Sequence, residues 1–216
     1  MCIRDSATNV FVDELAITAE IDPIDYRLAL IPEHGILKVP GDQPPKGHGL
    51  DLARLRHVLE RVRDLSEWNR LRPEGTGIGV AVHHSFRSYV ATVIEVAVTG
   101  NNVTVQNAWM VLDCGTYVNP DSCVAQMEGA VAFGLSLARS DGITMKDGSV
   151  DQSNFHDYRV LRMNESPSVS VELVASSAAP AGVGEPGVPP IAPALANAIF
   201  NATGERLRKL PLMLSS

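Results

Sequence analysis

Cysteine is scarce in this chain of 216 residues, where it occurs only as Cys2, Cys114 and Cys123. No two of these cysteines form a C-x-x-C pair, so the sequence predicts no local zinc or iron–sulfur site. An odd and sparse count also indicates free thiols rather than a disulfide framework. We expect Cys114 and Cys123 to be small residues of the core.

Basic residues are also in the minority, and the net charge of the chain is −7. Binding to nucleic acid without sequence preference relies on clustered Lys and Arg, so this charge argues against it. The densest basic run, Arg206, Arg208 and Lys209, follows the end of a predicted helix, where cations suit the helix dipole. We therefore expect no nucleic-acid partner.

Long apolar runs are absent too. No stretch can cross a membrane, and the N-terminus has no apolar core of the kind that a signal peptide needs. Residues 1–6 are polar and lead directly into a helical pattern. We expect an incomplete chain whose first residues are not all native, so the parent protein's location, cytoplasmic or periplasmic, stays open.

The hydrophobic pattern predicts both helices and strands. Apolar residues recur at three- and four-residue steps in five segments, which predicts helices over 10–19, 23–30, 52–65, 120–138 and 189–203. Alternation with a period of two predicts strands over 78–82, 90–98, 103–112 and 169–173, with a hairpin turn at Asp147-Gly148. Because strict β-α-β alternation is missing, the fold class is α+β, with mixed helices and antiparallel strands.

The chain divides into two parts at a stretch rich in proline and glycine, residues 40–49. Residues 1–49 are predicted to form an N-terminal helical segment and linker. Residues 50–216 are predicted to form the main domain portion.

The composition of one loop is unusual for a segment whose role is only structural. Residues 181–190, AGVGEPGVPP, surround a single carboxylate, Glu185, with three glycines and three prolines. Glycine lets a backbone approach a bulky group, proline stiffens the loop, and a helix start follows. Burial among small apolar residues would make Glu185 a credible general base. The alternative is a solvated surface loop, which physical reasoning alone favours.

A predicted helix contains a second unusual segment, with Gly129 and Gly134 in its interior. Each glycine there costs about 1 kcal/mol relative to alanine, which indicates that something packs tightly against the backbone. Gln126 offers a donor and an acceptor, which suits the edge of a heterocycle. Plain packing of the helix on a sheet, with Gln126 exposed, is an equal alternative.

Three further polar segments are better explained by structure than by chemistry. We expect Asp113 to hold the turn that ends its strand. His83 and His84 alternate faces on a strand, so we expect that they cannot both point into one site. His156 and Asp157 are expected to anchor their own loop.

Taken in order, four motifs resemble the molybdenum-binding subunit of the xanthine dehydrogenase/aldehyde oxidase family, most closely the isoquinoline 1-oxidoreductase type. The likeness covers residues 77–212 and, more weakly, 9–30. The motifs are Asp-Cys-Gly…Asn-Pro-Asp at 113–121, Gln-x-Glu-Gly-Ala at 126–130, Ser-Asn-Phe-His-Asp-Tyr at 153–158, and Gly-Val-Gly-Glu-Pro-Gly-Val-Pro-Pro-Ile-Ala-Pro-Ala at 182–194. The resemblance implies the C-terminal part of a molybdenum-cofactor-binding domain.

The resemblance also implies a cofactor and a chemistry. The cofactor would be molybdenum held by molybdopterin in its cytosine dinucleotide form, with no metal ligand from the protein. Glu185 would be the general base in hydroxylation of an electron-poor carbon, in an aromatic N-heterocycle or an aldehyde, with oxygen from water. The residues that match cofactor-contacting segments are Gln126, Glu128, Gly129, Val183, Gly184 and Gly187.

Partners follow from the same resemblance. The family's subunit is several times longer than this chain, and its electrons leave through iron–sulfur clusters on a small [2Fe-2S] partner subunit. We therefore expect this chain alone to be inactive without the N-terminal part of its subunit. Two alternatives stay open: a truncated module that folds or associates without catalysis, and an unrelated α+β domain that binds a small molecule.

Overall fold

The computed structural model describes residues 3–37, 49–140 and 142–214, so most of the linker predicted at 40–49 lies outside the described residues. The described residues form five α-helices, eight strands and one short 3-10 helix at Met163–Glu165. The helices and strands, in chain order, are α1 (Ile3–Thr18), α2 (Pro23–Leu30), β1 (Ile36–Leu37), β2 (Leu50–Asp51), α3 (Leu52–Leu65), β3 (Thr76–Ser85), β4 (Ser88–Thr99), β5 (Asn102–Asp113), α4 (Pro120–Arg139), β6 (Met145–Lys146), β7 (Ser149–Val150), β8 (Ser168–Leu173) and α5 (Ile191–Thr203).

Local signals set the helix boundaries. Asp22 caps α2 by accepting hydrogen bonds from the backbone N–H groups of Ile24 and Asp25, and a proline follows it at the first helical position. Gly204 ends α5 in the left-handed region, with φ of 76°. That helix begins at Ile191 rather than at residue 189, where we predicted its start.

A four-stranded sheet in the order β3-β4-β5-β8 organises the molecule. The pairs β3·β4 and β4·β5 are antiparallel, as predicted, but β8 pairs parallel to β5. The parallel pair arises because the chain leaves β5 through the long helix α4 before it returns as β8. A crossover of this kind, unlike a tight hairpin, brings two strands together in the same direction. The mixed α+β class is confirmed.

Two apolar layers cover the two faces of the sheet. On one face, α4 and α5 pack over buried residues that include Ile94, Met110 and Leu135. On the other face, α2 and α3 pack over a second cluster that includes Leu59 and Val93. Helix α3 shows how the pattern dictates the packing, since its buried residues Val58, Leu59 and Val62 form one stripe.

Strand β3 lies at one edge of the sheet, and asparagine side chains satisfy its outward backbone groups. The Asn9 side chain accepts from the N–H of Val82 at 2.9 Å and donates to its carbonyl at 3.1 Å. Asn197 donates to the carbonyl of Val80, and Asn201 accepts from the N–H of Ile78. These contacts fix α1 and α5 beside the edge strand, next to the cleft described below.

Candidate functional site

The glycine- and proline-rich loop is held between two strand ends. On one side, the N–H of Thr116 donates to the carbonyl of Ala178 at 2.8 Å, and the N–H of Ala181 donates to that of Cys114 at 2.9 Å. On the other side, the N–H of Gly182 donates to the carbonyl of Phe86 at 3.1 Å. The loop is therefore fixed on both sides before it reaches Glu185.

The same loop rests directly on helix α4. A β-carbon built at Gly187 would lie 2.7 Å from Cβ of Ala130 and 3.0 Å from Sδ of Met127, closer than side chains can approach. A β-carbon at Gly184 would lie 3.8 Å from Nε2 of Gln126. The structure thus brings together the two segments that the sequence singled out, 126–130 and 182–187.

A cleft of about 870 Å³ opens beside the loop. It is bounded by α1 and α2, by the end of β3 with the turn that follows, and by Glu185 with its neighbours. Two exposed aromatic rings, Phe86 and Phe133, line it together with Glu185, and neither ring was singled out from the sequence. Its remaining lining residues are Arg4, Asp5, Thr8, Asn9, Val12, Arg27, Leu30, Ile31, Leu50, Leu55, Val82, His83, His84, Ser85, Val188 and Pro189.

Glu185 is exposed, as in the solvated surface loop that physical reasoning alone favoured, and not buried among small apolar residues. Its neighbours on the loop are too small to cover it, and Pro186 and Gly187 turn into α4 instead. Gln126 and Glu128 are exposed as well. These three side chains form no hydrogen bond or ion pair with any described residue. They are free to contact a bound group.

Backbone donors on the loop are also free. Among the described residues, no acceptor is found for the N–H groups of the half-buried Val183 and the exposed Gly184. Exposed N–H groups of this kind can bind the oxygen or nitrogen acceptors of a ligand. The site therefore combines one carboxylate, one amide side chain and several backbone donors on a fixed loop.

The two glycines of α4 have different environments. Gly134 packs as expected, because a β-carbon there would lie 2.6 Å from Cβ of Ile191. Gly129 has no described atom within 4 Å of its β-carbon position, so the alternative of plain packing on a sheet is wrong at this glycine. Gly129 is exposed on the same stretch of helix as Gln126 and Glu128.

The prediction that His83 and His84 cannot share a site is wrong. Both line the cleft, because β3 is an edge strand and the cleft reaches around it to both faces. His83 contacts Asp5 through Nδ1 at 2.6 Å and Ser85 through Nε2 at 2.9 Å. His84 lies against Tyr89, and burial, with His83 and Arg54 nearby, lowers the pKa of its ring.

Asp113 holds the turn after β5, as predicted. Its carboxylate accepts from the N–H of Gly115 at 3.1 Å and from Arg54 at 2.6 and 2.7 Å. The predicted core positions of Cys114 and Cys123 are confirmed, since both are buried. Burial, with Cys123 as a second cause, raises the pKa of the Cys114 thiol to about 11.

The loop after the β6–β7 hairpin is also anchored locally, as predicted. The Asp157 carboxylate accepts from the N–H groups of Ser153 at 2.8 Å and Asn154 at 2.9 Å. These bonds hold the pKa of Asp157 at about 2. This motif organises its own loop and does not line the cleft.

Within residues 3–37, 49–140 and 142–214, no group of three or more His, Cys, Asp and Glu side chains could hold a metal ion. Over the same ranges, no helix has both the length and the apolar character needed to cross a membrane.

Comparison with known proteins identifies relatives of this chain. Residues 60–167, half of the chain, match the family model described as a molybdopterin cofactor-binding domain. The matched range contains Gln126, Glu128 and Gly129 and ends before Glu185. The chain is 34% identical to isoquinoline 1-oxidoreductase subunit beta of Brevundimonas diminuta, over 95% of this chain and 25% of that protein.

Two further matches extend the comparison. The chain is 32% identical to a membrane-bound aldehyde dehydrogenase [pyrroloquinoline-quinone] of Gluconacetobacter polyoxogenes, over 94% of this chain and 26% of that protein. The fold matches aldehyde oxidoreductase from Desulfovibrio gigas with a TM-score of 0.72 and 13% identity, over 96% of this chain and 39% of that one. The chain thus spans about a quarter of the length of these curated relatives.

Proposed function

This chain belongs to the molybdopterin cofactor-binding family of the xanthine dehydrogenase/aldehyde oxidase type, and from that premise we propose that it carries the general base of a molybdenum hydroxylase on the loop at Glu185. The observation that carries the proposal is the position of this carboxylate. Glu185 is exposed and without a described partner, on a loop that is bonded to two strand ends and packed on α4. Its carboxylate therefore lies on a fixed loop and is free to contact a bound group.

The surface beside Glu185 fits a flat, polar cofactor. Gly129 leaves open space on α4, and Gly184 lies next to the amide of Gln126. A pterin edge alternates donors and acceptors, which suits Gln126 and the free N–H groups of Val183 and Gly184. The proposed cofactor contacts are therefore Gln126, Glu128, Gly129, Val183, Gly184 and Gly187. When bound, the molybdenum cofactor supplies a two-electron acceptor and a Lewis acid for water.

Glu185 would act as the general base. Its carboxylate would accept the proton of the attacking oxygen as the new carbon–oxygen bond forms, which makes that oxygen a better nucleophile. The C–H bond at the attacked carbon would break, and its electron pair would leave to the two-electron acceptor that the bound cofactor would supply. The target is an electron-poor carbon of an aromatic N-heterocycle or an aldehyde. The exposed rings of Phe86 and Phe133 give the cleft an apolar lining for the body of such a substrate.

The remaining components lie outside this chain. We propose the cytosine dinucleotide form of the cofactor, a small [2Fe-2S] subunit that receives the electrons, and a longer subunit of which this chain is one part. The share of the relatives that the chain covers supports the last of these. By itself the chain would lack most cofactor contacts, so one molybdenum per chain in the isolated fragment would contradict this assignment.

A non-catalytic module is the second candidate, and the small share of its relatives' length that the chain spans, about a quarter, favours it. The two candidates are separated by Glu185→Gln in the full-length subunit with its cofactor. Positioned proton transfer contributes about a hundred- to ten-thousand-fold, so we expect turnover to fall on the order of a hundredfold or more. Molybdenum content, measured by elemental analysis, should stay at the wild-type value.

Glu33→Gln provides the matched control, because Glu33 is another exposed loop glutamate and does not line the cleft. It should leave turnover unchanged. Full molybdenum with near-wild-type turnover in Glu185→Gln would refute the base assignment. Loss of molybdenum in Glu185→Gln would instead assign this residue to cofactor binding. Absence of molybdenum from the wild-type subunit would refute the cofactor assignment itself.

A further inference from the structure

The turn between β3 and β4 contacts the glycine- and proline-rich loop just before Glu185. Three hydrogen bonds join them, and each comes from a different residue of the turn. The carbonyl of Phe86 accepts from the N–H of Gly182 at 3.1 Å, and the hydroxyl of Ser88 donates to the carbonyl of Gly182 at 2.6 Å. Arg87 donates through Nη2 to the carbonyl of Pro180 at 3.1 Å.

The turn itself has a strained backbone. Ser85 pairs with Ser88, so Phe86 and Arg87 are its two central residues. Both have positive φ, 50° and 65°, in the region where such turns normally place glycine, asparagine or aspartate. Backbone strain of this kind persists only where surrounding contacts over-determine it, and it is concentrated at functional sites.

Close packing accompanies the hydrogen bonds. A β-carbon at Gly182 would lie 2.8 Å from Cβ of Phe86, so the turn and the loop are in contact along their backbones. Ser88 is completely buried, while the ring of Phe86 is 59% exposed and lines the cleft with Glu185. The turn thus touches both the loop and the space in front of the proposed base.

We propose that the Phe86–Arg87 turn and Ser88 form a positioning clamp for Glu185. The clamp fixes residues 180–182, which lie three to five positions before the carboxylate, and so sets where the carboxylate sits in the cleft. Ser88 is its central member, because its hydroxyl is buried and directly bonded to Gly182. This inference rests on the proposed function, since positioning matters for catalysis only if Glu185 is the base.

Ser88→Ala in the full-length, cofactor-loaded subunit tests the clamp. Small misplacement of a reacting group can cost about a hundredfold in rate, and we expect kcat to fall roughly tenfold or more, with KM and molybdenum content unchanged. Hydrogen exchange at the Gly182 amide should speed up, because its bond to the carbonyl of Phe86 depends on the turn. Ser88→Thr keeps the hydroxyl and should restore both kcat and protection.

Two companion variants separate positioning from general destabilisation. Ser66→Ala removes another buried serine hydroxyl, which donates to the carbonyl of Arg63 far from the cleft, and should leave kcat and loop exchange unchanged. Arg87→Ala removes an exposed side chain, so it keeps the fold and should give a smaller loss of kcat. If Ser88→Ala leaves both kcat and loop exchange at wild-type values, the clamp does not exist.

The double variant Ser88→Ala with Glu185→Gln distinguishes failure of the clamp from failure of the proposed function. A clamp that acts through Glu185 predicts that the double variant is no slower than Glu185→Gln alone. If Glu185→Gln abolishes turnover and Ser88→Ala does not lower it, the clamp is wrong and the base stands. If Glu185→Gln keeps turnover, the proposed function is wrong whatever Ser88→Ala does. A further loss in the double variant would also refute the clamp.

Discussion

Two groups of polar residues in this molecule have opposite environments. Behind the sheet edge, the buried Asp13 pairs with two arginines, the buried Arg27 and the partly buried Arg206. Asp13 lies 2.7 Å from Nη1 of Arg206 and 4.0 Å from Nη1 of Arg27. At the candidate site, Glu185 and Gln126 are exposed and have no described partner. Charges that hold a fold must be compensated because burial is costly, whereas groups that await a ligand must stay uncommitted.

The pKa values of the buried group show how strongly burial acts on charged side chains. Burial raises the pKa of Asp13, although the hydrogen bond from Arg206 and the charge of Arg27 oppose the shift. Burial likewise lowers the pKa of Arg27 to about 10. Arg27 further donates to the backbone carbonyls of Pro23 and Asn9. This network joins α1, α2 and the segment after α5.

Removing Asp13 should therefore give the largest loss of stability. Asp13→Ala leaves the buried guanidinium of Arg27 and the partly buried one of Arg206 without their carboxylate, which costs about 3–5 kcal/mol in the free energy of unfolding. Denaturant titration of the chain measures it. Glu14→Ala is the control, since this neighbour pairs with the exposed side chain of Arg208, and such surface pairs contribute about 0–1 kcal/mol. Equal losses of stability in the two variants would show that the ion pairs of Asp13 contribute no more than the surface pair of Glu14.

Gly134, like the buried charges, contributes to the fold and not to the candidate site. In Gly134→Ala the new methyl group would lie 2.6 Å from Cβ of Ile191, so α4 and α5 must move apart. Overpacking of this kind typically costs about 1–3 kcal/mol, and it outweighs the gain of about 1 kcal/mol from alanine's helix propensity. Thermal unfolding should show a lower midpoint. A higher midpoint would mean that Gly134 and Ile191 are packed less tightly than the structure shows.

Gly129 lies five residues earlier on the same helix and should behave in the opposite way. Open space surrounds its β-carbon position, so Gly129→Ala should stabilise the chain by about 0.5–1 kcal/mol through helix propensity. In the full-length subunit the same methyl group would meet the proposed cofactor, and molybdenum content should fall. A variant that is more stable and fully loaded with molybdenum would remove Gly129 from the proposed site.

Sequence patterns predicted the elements better than their environments. The period of α3 and the caps at Asp22 and Gly204 are local signals, so α2, α3 and the end of α5 appear where they were predicted. Helix α1 was predicted over 10–19 but begins seven residues earlier, at Ile3. Whether Gly129 is covered, or whether both faces of β3 reach the cleft, depends on contacts between distant segments. The parallel pairing of β8 likewise depends on the crossover through α4 and not on any residue in the strand.

The candidate site likewise has parts that the sequence predicted and parts that it did not. Composition identified the loop around Glu185 and the segment at Gln126, and the structure brings the two together. Composition did not identify Phe86, because an aromatic residue in a short turn carries no signal of positive φ. The cleft itself is formed by the α1–α2 segment, the end of β3 and the loop at Glu185, which lie far apart in sequence.

Asp157 provides the smallest effect and the sharpest test of what distinguishes Glu185. Both carboxylates are exposed, but Asp157 accepts hydrogen bonds from the N–H groups of Ser153 and Asn154, which lower its pKa from 3.8 to about 2. A depressed pKa in the folded state means that the carboxylate stabilises its loop above pH 3.8 and loses this contribution as the pH falls toward 2. The amide resonances of Ser153 and Asn154 should therefore titrate with a midpoint near pH 2, and Asp157→Asn should abolish the transition. A midpoint near 4 would mean that these bonds do not hold the carboxylate, and Asp157 would then be as uncommitted as Glu185.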